Sequence, residues 1–156
     1  MQISLLQSRD FLWYWLPPLA WCGTVLLMSG DLGSARNTRS LLEWLLSWFA
    51  SLSPAQFKLF HFYVRTTIGH FGNYAFLYFL WFRACRGQLG WTSGLAFSLA
   101  IGCSLVMALL DEGHQSMFAS RGSSLHDVAL DLSGAAAAAL VTWIIWPYRV
   151  RPLAEK

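Results

Sequence analysis

WTSGLAFSLAIGCSLVMALL, residues 91–110, runs for twenty residues without a single Asp, Glu, Lys or Arg. A helix of that length, rising about 1.5 Å per residue, matches the roughly 30 Å hydrocarbon core of a bilayer. The stretch therefore reads as a membrane-spanning helix. Similar segments lie on both sides of it: 11–30, interrupted by Pro17 and Pro18; 64–82; and 127–146, with Gly134 and the run Ala135 to Ala139 as a closely packing face. The two prolines are expected to kink the first span, which neighbouring helices can accommodate by satisfying the freed carbonyls. The whole chain fits this reading. It is 56% hydrophobic and 12% charged, whereas soluble domains are about 25% charged. Its nine Trp and eleven Phe suit the aromatic belts where hydrocarbon meets headgroups.

The expected fold is all-α: a single polytopic domain over 1–156, with four transmembrane helices and an interfacial amphipathic helix in the first outward loop. That helix is placed at 40–52, where Leu41, Leu45, Trp48, Phe49 and Leu52 fall on one side. Residues 31–38 read as a loop, and Ser53-Pro54 as a helix start with Ser as N-cap and Pro in the first turn. In the third span Gly90, Gly94, Ser98 and Gly102 recur every four residues, a spacing that lets helix backbones approach. Trp146-Pro147-Tyr148-Arg149 reads as an interfacial stop. The first span lacks the basic start and small-residue cleavage point of a signal peptide and is expected to be retained. Trp21 stands where a lipoprotein processing site would need a small residue before Cys22.

Arg9, Arg83, Arg86, Arg149, Arg151 and Lys156 fall on one side of the bilayer, and Arg36, Arg39, Lys58, Arg65 and Arg121 on the other, within longer segments. This distribution favours both termini in the cytoplasm, with 31–63 and 111–126 facing outward. The net charge of +3 is dispersed and gives no sign of nucleic-acid binding. Cys22, Cys85 and Cys103 have no CxxC spacing and read as small buried hydrophobes.

Four alternating spans bring the unexplained polar residues to one face. His70 and Tyr74 share a helix side, and His70 lies about 9 Å inside its span when counted from Val64. Asp111 and Glu112 close the third helix, Gln115 lies one turn beyond Asp111, and Asp127 and Asp131 lie one turn apart at the start of the fourth. Arg121 stands between the two groups as their counter-charge. Ionisable groups at such depth cost about 3 kcal/mol each on insertion scales and are rare without a partner or a role.

Plainer readings stand beside these. Ser124-x-x-Asp127 has the form of a capping box, and His70 suits an interhelical hydrogen bond. His114 and His126 read as solvated loop residues. A metal centre of His70, Asp111, Glu112 and His114 matches none of the strong zinc spacings, so no metal and no cofactor is assigned. No nucleophile elbow, P-loop or HExxH occurs.

The stretch DEGHQSMFASR at 111–121, followed by Asp127-Val128 and Asp131-Leu132-Ser133-Gly134-Ala135, resembles the signature of VanZ-like membrane proteins. His70-Phe71 and Tyr74-Ala75-Phe76-Leu77 are similar to the H-F-x-x-Y-A-x-L element of that family. Together these elements cover roughly residues 65–140. Thr66 and Thr67 stand where members often carry Arg-Lys or Asp-Lys, and Asp131 stands where Asn is common. The resemblance implies a bacterial inner-membrane protein, related to a founding member associated with low-level resistance to teicoplanin, an acylated glycopeptide that targets lipid-linked cell-wall precursors.

Three functions are compatible with these residues. In the first, His70, Tyr74, Asp111, Glu112, Gln115, Arg121, Asp127 and Asp131 form an outward-facing pocket for a membrane-lipid headgroup or lipid-linked envelope precursor, with Arg121 engaging a phosphate. In the second, the protein is an enzyme that modifies an envelope lipid, with Glu112 or Asp111 as general base and His70 as acid. In the third, the cluster is a salt-bridged clamp between helices.

Overall fold

In the computed structural model, residues 3–88 and 93–145 are described, and all regular structure among them is helical. The order is α1 (Ile3–Ser29), a single 3₁₀ turn (Asp31–Gly33), α2 (Ala35–Leu46), α3 (Pro54–Tyr63), a π-helical segment (Val64–Gly72), α4 (Asn73–Gln88), α5 (Ser93–Gln115) and α6 (Leu125–Ile145). Three helical stretches, Phe11–Ser29, Gly94–Gln115 and Leu125–Ile145, are long and apolar enough to cross a bilayer. The 64–82 span is not one of them. It falls on a composite in which the π segment runs directly into α4.

α4 forms the centre of the bundle and packs against α1, α5 and α6. Its side chains Tyr74, Leu77, Tyr78, Phe82, Ala84 and Cys85 are buried, so it faces protein more than surroundings and tolerates two tyrosines. One apolar tier joins Val25 of α1, Tyr74 and Leu77 of α4, Met107 and Ala108 of α5 and Val128 of α6. A second, further along the bundle, joins Tyr78, Phe82 and Cys85 to Ala96, Ala100 and Ala135. The Tyr78 hydroxyl is paired with the Thr142 hydroxyl at 3.2 Å. Outward-facing apolar side chains, among them Trp13 and Leu16 of α1, Val106 and Leu109 of α5, and Leu140 and Ile144 of α6, are exposed.

Several boundaries differ from the sequence reading, each for a local reason. α2 starts at Ala35 because Ser34 caps it, its hydroxyl accepting from the Asn37 amide at 3.4 Å; residues 35–38 are therefore helix, not loop. α2 ends at Leu46, so Trp48, Phe49 and Leu52 lie beyond it, although Leu41, Trp44 and Leu45 remain exposed along one side. α3 opens as expected: the Ser53 hydroxyl accepts from the Gln56 amide, and the Gln56 side chain accepts from the Ser53 amide at 2.9 Å. α5 continues through Gln115 instead of stopping at Leu110.

The close-packing seam of α5 is not the glycine series. Ala96, Ala100 and Ser104 are fully buried, whereas Ser98 is exposed and a methyl group on Gly102 would meet nothing. In α6 the expected small face is used: a Cβ on Gly134 would overlap the backbone carbonyl of Phe71. Gly90, the start of the third span at Trp91, the stop at 146–149, and Arg149, Arg151 and Lys156 lie outside the described residues.

Candidate functional site

Each of the expected crossings contributes to one end of the bundle. The last residue of α1, Ser29, is buried and donates to the Asp111 carbonyl at 3.1 Å. The His114 Nδ1 atom pairs with the same hydroxyl at 3.1 Å, so His114 is a half-buried tertiary contact and not a solvated loop residue. These bonds fix the α5 terminus against the α1 terminus and explain why the polar run Asp111 to Gln115 stays helical.

The centre of the site is a set of three carboxylates. Asp111, Glu112 and Asp131 are all buried, Asp131 completely, and one oxygen from each lies within 4.8 Å of the others. Each carboxylate is anchored by a different partner. The Tyr74 hydroxyl donates to Asp111 Oδ2 at 3.3 Å, the Ser124 amide donates to Glu112 Oε2 at 2.6 Å, and His70 Nδ1 pairs with Asp131 Oδ1 at 3.0 Å. The second oxygens, Asp111 Oδ1, Glu112 Oε1 and Asp131 Oδ2, are buried without a hydrogen-bond partner.

Two expectations change here. Glu112, from another helix, takes the Ser124 amide that a capping box would give to Asp127. Asp127 pairs instead with the exposed ring of His126 at 3.5 Å and stands apart from the carboxylate trio. Nor does Arg121 supply the counter-charge: among the described residues, ion pairs bring only His70 to these acids and no Arg or Lys. The contacts that tie these acids to other elements are instead a tyrosine, a backbone amide and a histidine.

Arg121 has a different neighbour. Its guanidinium and that of Arg65 both donate to the Gly33 carbonyl, Arg65 at 2.9 Å. Arg65 also donates to the Thr38 hydroxyl at 3.2 Å, and Arg121 Nε is buried without a partner. Both arginines line a cavity of 190 Å³ together with His70, Asp111 and Gln115. Its walls are otherwise largely apolar, from Val25, Met28, Leu42 and Ile68.

Arg65 escapes a sequence reading because of the π segment. In an α-helix a residue five positions before His70 is rotated away by about 140°, whereas i→i+5 winding brings such residues towards one side. Ser29 and Gly33 were equally hidden, since nothing local distinguishes a serine ending a helix or a glycine in a short turn. The only advance signal was that the polar 31–38 segment borders an apolar span.

A bundle with such apolar outer faces and its ionisable groups turned inward belongs to the integral membrane proteins. More specifically, the chain matches the VanZ/LLP1 family over residues 14–146, and it is a member of that family. No curated protein and no solved structure matches it.

Proposed function

We propose that this protein binds the anionic headgroup of a membrane lipid or lipid-linked envelope precursor in the Arg65/Arg121 cavity. The observation that carries the reading is the convergence of two guanidiniums on one carbonyl, without an ion-paired carboxylate among the described residues, inside a largely apolar pocket. Two like charges held together in a half-buried pocket are costly. A phosphate offers the planar fork of arginine its preferred bidentate partner, and the apolar walls suit the chain attached to it.

The setting is a four-crossing topology in the bacterial inner membrane, with residues 54–88 as the second crossing, both termini cytoplasmic and the cavity open to the outer leaflet. α2 lies along the interface. A contribution to teicoplanin tolerance would follow if the bound molecule is a lipid-linked precursor.

Purified full-length protein in detergent is titrated with phosphatidylglycerol and with polyprenyl phosphate, followed by native mass spectrometry. Saturable adducts are expected for wild type and weakening of at least tenfold for Arg121→Ala and Arg65→Ala, with phosphatidylcholine as the neutral comparison. Equal binding of neutral and anionic lipid would exclude this reading.

A second reading is favoured by the buried His70–Asp131 pair, whose geometry suits proton transfer. In an enzyme that modifies an envelope lipid, Glu112 or Asp111 would act as base beside His70. Turnover of an added lipid phosphate that is abolished in Glu112→Gln while headgroup binding persists would favour this reading over simple recognition.

A further inference from the structure

Three carboxylates with no Arg or Lys partner among the described residues are an unusual load for the interior of an apolar bundle. Their detailed arrangement is more informative than their number. One oxygen of each is fixed from outside the trio, by the Tyr74 hydroxyl, the Ser124 amide and the His70 ring. The remaining oxygens, Asp111 Oδ1, Glu112 Oε1 and Asp131 Oδ2, are left buried and unpartnered. Residues whose outer atoms are held by hydrogen bonds while their other atoms stay free have the arrangement that orients ligands around a metal ion.

We infer that Asp111, Glu112 and Asp131 form a binding site for one hard divalent cation of the Mg²⁺, Mn²⁺ or Ca²⁺ type. The donor set is all carboxylate, which selects this class over softer ions that favour sulfur and imidazole. The trio offers one oxygen per residue within 4.8 Å of the others, comparable to the span of oxygens facing each other across a Ca²⁺ ion bound at 2.3–2.6 Å. A +2 ion also balances charge that His70 alone leaves uncompensated.

Entry is through the cavity, because Asp111 lines it while Asp131 is completely enclosed. The ion would be reached from the same cavity that Arg65 and Arg121 line. The site rests only on the carboxylates and does not require that a lipid bind above it.

The test uses the full-length protein in a neutral detergent, stripped with EDTA and desalted, then titrated with Mn²⁺ while the electron paramagnetic resonance signal of free Mn²⁺ is followed. One saturable site per chain is expected, displaced by excess Mg²⁺ or Ca²⁺. Asp131→Asn and Glu112→Gln should abolish saturable binding, and Glu43→Gln, an exposed acid paired with Arg39, should leave it intact. Tyr74→Phe keeps all three ligands and removes only the anchor of Asp111. It should weaken Mn²⁺ about 10–100-fold, and it decides the matter if the carboxylate variants do not fold.

Folded wild type without a saturable site, unchanged affinity in Tyr74→Phe, or full binding in a folded Asp131→Asn would each overturn the inference. The Mn²⁺ titration is run without anionic lipid and the lipid titration in EDTA. Failure of the metal site and failure of the headgroup reading are therefore separate results.

Discussion

Gly33 and Gly134 set two of the closest approaches that shape the site. A methyl group on Gly134 would overlap the Phe71 carbonyl, and one on Gly33 would overlap the Met28 carbonyl. Gly134→Ala should therefore push α6 away from the π segment that carries His70. Overpacking typically costs about 1–3 kcal/mol, and the expected result is a lower thermal unfolding midpoint in detergent. Gly33→Ala should act elsewhere, displacing the carbonyl shared by Arg65 and Arg121. It is expected to weaken anionic lipid more than it lowers stability, and an affinity equal to wild type would show that this carbonyl does not position the arginines. At this scale the sequence was most informative about residue type: His70, Tyr74, Asp111, Glu112 and Asp131 stand out as polar groups in apolar helices and lie together in the fold, with Gln115 lining the adjoining cavity. Which partner each one takes was not legible. Ser124 and Asp127 satisfy a local capping pattern, yet a carboxylate twelve residues earlier competes successfully for the Ser124 amide.

Helices were legible as elements, but their ends were not. Apolar length identifies α1, α5 and α6 because a bilayer-sized run has few soluble explanations. The end of α5 was misplaced because Asp111 to Gln115 look like loop residues until Ser29, Tyr74 and Ser124 are present to satisfy them. The π segment was hidden for a related reason, since helix periodicity assumes a 3.6-residue turn throughout. The Ser53 N-cap and Pro54 start of α3 are local and were read from the sequence, whereas the reciprocal Gln56 bond was not; Ser53→Ala should cost about 1 kcal/mol, measurable as a lower unfolding midpoint. α2 supports a second prediction at this scale. Leu41, Trp44 and Leu45 form an exposed apolar side, while Arg36, Arg39 and Glu43 lie on the other. In a cysteine-free background reconstituted into vesicles, a spin label at Leu41 should be relaxed mainly by oxygen and one at Arg36 mainly by a water-soluble nickel chelate. Equal nickel accessibility at both positions would place α2 in water.

On the scale of the whole molecule, chain direction constrains topology more tightly than hydropathy does. α1 and α5 both end at the site, as the Ser29 bonds to Asp111 and His114 require, and α6 begins there, as the Glu112 bond to Ser124 requires. If α1 and α5 each cross the bilayer towards the same face, the intervening chain must return to the opposite face before α5 begins. Among the described elements between them, the run from Pro54 through Gln88 is the longest, and its α4 part is buried while Leu59, Phe62, Tyr63 and Ile68 before it are exposed; it is the candidate for the return. As a crossing it would be unlike the three long apolar helices, because its winding changes at Val64–Gly72 and because α4, enclosed by three neighbours, has little need of a continuous lipid-facing surface. Reporter fusions at residues 50 and 120 should therefore give the same compartment signal, and fusions at residue 90 and after the final helix should give the opposite one. A fusion at 90 that matches the one at 50 would mean the 54–88 run does not cross, in which case α1 and α5 could not both span the bilayer in the direction that brings Ser29 to Asp111.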